Sequence, residues 1–92
     1  MSRPLREIDD IEQPLFRYAR TRGWLCEKVI SLSRKGWPDR FFLRNAVIVL
    51  WELKAPGEKP TAQQILRHEE LRKKGATVVW FDNLEKAKEY FK

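Results

Sequence analysis

Asp39, which closes the run Gly36-Trp37-Pro38-Asp39, and the tripeptide Glu52-Leu53-Lys54 are the residues whose types and spacing could do chemistry. Two carboxylates and an ammonium at one end of a sheet can hold a divalent cation and activate a water beside a phosphodiester. Glu52 and Lys54 are two residues apart, so on a strand they face the same way. The preceding positions on that face are Ile48 and Leu50. The strand would therefore run apolar and then end in an acid and a base. Burying a charge without a partner is costly. A metal ion at Glu52 and a phosphate at Lys54 would offset that cost, and a plain structural ion pair between the two is the alternative. Asp39 opens a strand expected to pair antiparallel with that of Glu52. Counted back from the Arg44-Asn45 turn, it falls near the level of Trp51 to Lys54. Oxygen ligands placed in this way suit Mg²⁺ or Mn²⁺, and the Leu53 carbonyl lies between the two charged side chains as a further ligand.

Three other side chains carry two readings each. Glu12 interrupts the apolar stripe Ile8, Leu15, Phe16, Ala19. It either points its carboxylate at the sheet or complements a helix dipole in the first turn. Gln64 either reaches over the site or closes a capping box with Thr61. His68, one turn on, either packs or contacts a phosphate. Arg34, Lys35, Trp37, Arg40 and Lys59 flank the proposed site and suit contacts along a nucleic-acid backbone.

The elements that must position these residues follow from pattern and punctuation. Ile8, Ile11, Leu15 and Ala19 predict an amphipathic helix over 8–22, with Asp9 and Asp10 as caps and Pro14 forcing either a start near Asp10 or a bend. Gly23 ends it. Strands are expected over 24–32, 39–44 and 46–54, the last apolar on both faces and so placed mid-sheet with cover on both sides. A helix over 61–74 stops at Gly75, a strand follows over 77–82, and Asn83 caps a last helix through Tyr90. The order αβββαβα implies an α/β fold: a mixed sheet of about four strands flanked by helices.

The chain has 92 residues, and 42% of them are hydrophobic. That predicts one folded domain over 1–92 and excludes disorder. No run approaches a membrane span, and Met1-Ser2-Arg3-Pro4 lacks a signal-peptide core. A single cysteine, Cys26, forms no internal disulfide and fits no zinc-finger spacing, so a reducing cytoplasm is expected. A formal net charge of +6 favours a polyanionic partner. Together with the acid–acid–lysine set, this points to a metal-dependent nuclease.

The same residues carry a family resemblance. Glu12, Gly36-Trp37-Pro38-Asp39, Glu52-Leu53-Lys54, Lys59-Pro60-Thr61-Ala62-Gln63-Gln64 and Leu71-Arg72-Lys73-Lys74-Gly75 make the chain resemble the PD-(D/E)XK nucleases, whose fold is restriction-endonuclease-like. Within them it resembles the stand-alone VRR-NUC (virus-type replication-repair nuclease) domains. The resemblance implies that Asp39 and Glu52 hold metal and that Lys54 positions or deprotonates water. It also implies that Glu12 assists as the acid of the first helix, and that the family glutamine is Gln64 or its neighbour Gln63. It implies 5′-phosphate and 3′-hydroxyl products, and a bacterial or phage-infected cell. A small domain offers one site while a four-way junction presents two strands, so a homodimeric endonuclease acting on branched DNA such as Holliday junctions is expected. The rivals are a non-catalytic DNA-binding module on the same fold and a general or restriction-type nuclease.

Overall fold

Local signals decide where each element starts and stops. The computed structural model describes residues 11–28, 36–38 and 40–92. Ile11 and Glu12 form a wide π-type turn that leads into helix α1 (Gln13–Thr21). Pro14 sits in the first turn of α1, where its missing N–H costs nothing. The residues expected to start and cap this helix, Ile8, Asp9 and Asp10, lie outside the described residues. At the other end Trp24 N donates to Ala19 O (3.1 Å) and Gly23 N to Arg20 O (3.1 Å), the paired bonds that close a helix before a left-handed residue.

Strand β1 (Leu25–Lys28) pairs antiparallel with β2 (Arg40–Arg44), and β2 with β3 (Val47–Leu53). Asn45 (φ 51°) and Ala46 (φ 65°) make the two-residue turn between β2 and β3, with the left-handed backbone that matches hairpin twist. Helix α2 (Ala62–Lys73) then carries the chain over to β4 (Thr77–Phe81), which lies parallel to β3. Gly75, at φ 98°, ends α2 where a side chain would be strained. Helix α3 (Leu84–Tyr90) begins at Asn83, whose side chain accepts from Lys86 N at 3.0 Å. The sheet order is β1-β2-β3-β4, mixed and flanked by helices, as the sequence predicted.

The core lies on one face of the sheet. Phe42, Val49, Trp51, Leu53 and Phe81 meet Leu15, Phe16 and Ala19 of α1 and Ala87 and Phe91 at the end of the chain. Its rings pack edge-on or tilted, as in Phe42–Trp51 (centroids 4.9 Å apart) and Phe42–Phe91 (4.6 Å). Trp24 Nε1 ties this cluster to the last helix by donating to Phe91 O at 2.7 Å.

The second face departs from the expectation of full cover. Ile48 is 51% exposed, and Leu50 is half-buried. The reason is reach: α2 has 12 residues and packs against β4. A helix of that length spans about 18 Å. It shelters the C-terminal end of β3 and leaves the start of the strand open.

Candidate active site

The sheltered end of β3 is where the charged residues stand. The described β2–β3 pairing ends at Arg40↔Trp51, while Glu52 and Leu53 continue alongside Trp80 and Phe81 of β4. Lys54 stays in line because its N–H donates to Phe81 O at 2.8 Å. Glu52 is 4% exposed. Its Oε2 lies 3.6 Å from Lys54 Nζ, and its Oε1 lies 3.5 Å from His68 Nε2. Strand alternation therefore brings Glu52 and Lys54 together on the face beneath α2, as predicted from their spacing.

Helix α2 is fixed over this end by polar contacts more than by apolar ones. Its buried residue is His68. Thr61 N donates to Gln64 Oε1 (2.8 Å) and Gln64 N to Thr61 Oγ1 (3.2 Å), which completes a capping box. Arg72 donates from Nε and Nη2 to Val78 O (3.1 and 2.7 Å), clamping the helix to β4. Gly36, at φ 84°, seats the Gly36-Trp37-Pro38 run directly on α2: a Cβ there would stand 2.9 Å from Gln63 O. Only glycine allows that approach. The loop leading to Asp39 and the helix carrying His68 are thus held against each other.

A second polar cluster lies on the opposite, α1-facing side. Glu12 is 1% exposed, and its Oε2 accepts from Arg40 Nη2 at 2.9 Å while Lys28 Nζ stands 3.1 Å from Oε1. Burial alone would push the Glu12 carboxyl up. The hydrogen bonds and charges of Arg40 and then Lys28 outweigh it and hold the carboxyl below its ordinary value. His68 is also shifted down, chiefly by burial and then by the charges of Arg72 and Lys54, so its imidazole is neutral near pH 7. The buried thiol of Cys26 is raised to about 11 and is correspondingly unreactive.

The predicted site residues fall into three groups. Glu52, Leu53 and Lys54 come together with His68. Glu12 does point at the sheet, but its partners among the described residues are Arg40 and Lys28. Asp39, Arg34 and Lys35 lie outside the described residues. Two expectations are corrected. Arg40, 3% exposed, has its guanidinium on Glu12 and 5.6 Å from the Trp51 ring, and His68, 2% exposed, is under α2. Neither presents its charge or ring to a nucleic-acid backbone. Gln64 gives its side-chain oxygen to the cap, the alternative its spacing from Thr61 had offered. Lys59 is exposed and Trp37 half-buried.

Sequence reasoning missed the Glu12–Arg40–Lys28 cluster and the His68–Glu52 contact. The first had a signal, since Arg40 alternates with Phe42 and so shares its core-facing side. For cation binding, the described residues hold no group of three His, Cys, Asp or Glu side chains. They do supply a buried carboxylate and an adjacent carbonyl from Leu53, which are hard oxygen donors that suit Mg²⁺ or Mn²⁺.

Comparison with known proteins supports the fold. No family model matches the chain. It is 42% identical over 82 residues to the protein named "Putative nuclease p44" of Acyrthosiphon pisum secondary endosymbiont phage 1, spanning 88% of this chain and 87% of that one. A solved structure entitled VRR_NUC domain superposes with a TM-score of 0.69 at 31% identity, covering 85% of this chain and 90% of the other.

Proposed function

This chain belongs to the VRR-NUC family and is a nuclease, and from that premise we propose that it is a Mg²⁺- or Mn²⁺-dependent endodeoxyribonuclease acting as a homodimer on branched DNA such as Holliday junctions. The observation that carries the reading is the 4%-exposed Glu52 carboxylate beside Lys54 at the end of β3. A carboxylate facing a phosphate repels it unless a cation intervenes, so a pure DNA-binding module gains nothing from this placement. Glu52, the Leu53 carbonyl and Asp39 are the groups that would hold the cation. When bound, such an ion supplies Lewis-acid activation of water and neutralises charge building on the phosphate.

The chain's own residues supply the rest. Lys54 donates to the attacking water or to the phosphate oxygens and stabilises the developing negative charge from a half-sheltered position. The Gly36-Trp37-Pro38 run, seated on α2, fixes the entry to Asp39. Exposed Lys59, with Arg34 and Lys35, supplies contacts to the DNA backbone that set register without reading sequence. The two strands of a junction call for two such sites, and a symmetric dimer provides them.

The test is cleavage of a labelled four-way junction beside linear duplex of the same sequence, with Mg²⁺, Mn²⁺ or chelator, by wild type and Asp39→Ala. Paired, metal-dependent nicks on the junction alone, lost in the mutant, are the expected result. Equal cutting of both substrates would remove the junction preference. Binding without cutting under every metal would replace the enzyme with a non-catalytic module.

A further inference from the structure

Helix α2 buries a histidine where an apolar residue would shelter β3 at less cost, and that histidine faces the carboxylate at the centre of the site. His68 is 2% exposed, and its Nε2 stands 3.5 Å from Glu52 Oε1. The two oxygens of Glu52 are thereby distinguished: Oε1 faces the imidazole and Oε2 faces Lys54 Nζ at 3.6 Å. We propose that His68 is a positioning residue for metal binding, donating from Nε2 to Glu52 Oε1 so that the carboxylate is held at one rotation and its other oxygen is presented to the cation.

This inference rests on the metal-dependent reading above. Its physical logic is a contrast in donors. A guanidinium would orient a carboxylate and also spend its charge, as Arg40 does on Glu12 at 2.9 Å. A single imidazole N–H contacts one oxygen, Oε1, and leaves the other on the Lys54 side. Ligating carboxylates that are hydrogen-bonded in this way bind metal more tightly, by about 10–100-fold when such a partner is kept rather than lost. The backbone is arranged to hold the donor still. The capping box fixes the start of α2, and the two Arg72–Val78 bonds fix its end one turn beyond His68. The 3.5 Å separation is long for a hydrogen bond and has room to tighten when a ligand pulls the carboxylate into place.

The experiment measures Mn²⁺ binding to the purified protein by the loss of the free-ion EPR signal, for wild type, His68→Gln and His68→Leu, with thermal melting of each. Glutamine supplies a neutral N–H donor at similar reach. The expected result is Mn²⁺ affinity close to wild type for His68→Gln and weaker by about 10–100-fold for His68→Leu, with both variants folded. In cleavage, His68→Leu raises the Mg²⁺ concentration needed for half-maximal rate and largely keeps the rate at saturating Mg²⁺. Wild-type affinity in His68→Leu overturns the proposal. Equal loss in the Gln and Leu variants overturns it also, since the imidazole itself would then be required. A wild type that cleaves only with metal, alongside a His68→Leu that binds Mn²⁺ normally, rejects the positioning role and keeps the nuclease. Failure of wild type to bind Mn²⁺ or to cleave removes the metal reading and the inference with it.

Discussion

The two faces of this sheet solve different problems with the same strands. On the α1 and α3 side, alternate residues of β2, β3 and β4 put aromatic and aliphatic side chains into a closed cluster. The acid on that side, Glu12, is matched by Arg40 and Lys28. On the α2 side the intervening residues meet a helix whose buried residue is a histidine, and the acid there, Glu52, lies beside Lys54 and His68. One carboxylate is matched in place by two cations. The other keeps a geometry suited to a ligand. The lesson is that burial of an acid says little about its role until its partners are counted.

If the closed face carries stability, truncation there is the largest effect. Phe42→Ala, at 0% exposure and in contact with Phe16, Trp24, Trp51 and Phe91, should cost about 3–5 kcal/mol in urea denaturation. A loss below about 1 kcal/mol would show that the cluster is not the core. The acid on the same face gives the next effect. Glu12→Gln should cost about 3 kcal/mol at neutral pH, because it takes the charge partner from a buried guanidinium. The Glu12 carboxyl is held below its ordinary value of 4.5, so its contribution is complete above that value and is lost as pH falls through the lower folded-state value. The gap between wild type and Glu12→Gln should therefore close below pH 4.5. A gap that persists in acid would contradict the pairing. The smallest effect belongs to the open stretch of the other face, where Ile48→Ser at 51% exposure should shift stability by no more than about 0.5 kcal/mol. A large loss there would mean that the start of β3 is covered in solution.

Much of this architecture was legible in the sequence because its signals are local. Gly23, Gly75, the Thr61–Gln64 spacing and Asn83 each set an element boundary through neighbouring backbone groups. Two-residue alternation put Glu52 and Lys54 on one face without knowledge of the fold. The pairing of Glu12 with Arg40 was legible only in part: alternation with Phe42 gives Arg40's side of the strand, but its partner lies 28 residues away and depends on where α1 lies against β2. The contact of His68 with Glu52 depends in the same way on the placement of α2 over β3. Ile48 and Leu50 read as buried because their types are apolar, while their exposure follows from the reach of a helix packed elsewhere. Arg40, basic and near the proposed site, resembled a surface contact until its side of the strand was known.

The central claim is that the buried acid on the α2 face, and not the one on the α1 face, is the metal-dependent centre of a nuclease. The most direct measurement is the cleavage rate of a labelled four-way junction against Mg²⁺ concentration for wild type, Glu52→Gln and Glu12→Gln, each first shown to be folded. On the proposed reading a cation held here would contribute several kcal/mol, so Glu52→Gln should fall by more than about 100-fold. Glu12→Gln should retain cleavage at temperatures where it is folded. Full activity in Glu52→Gln, with activity lost in a folded Glu12→Gln, would place the chemistry on the other face and contradict the account.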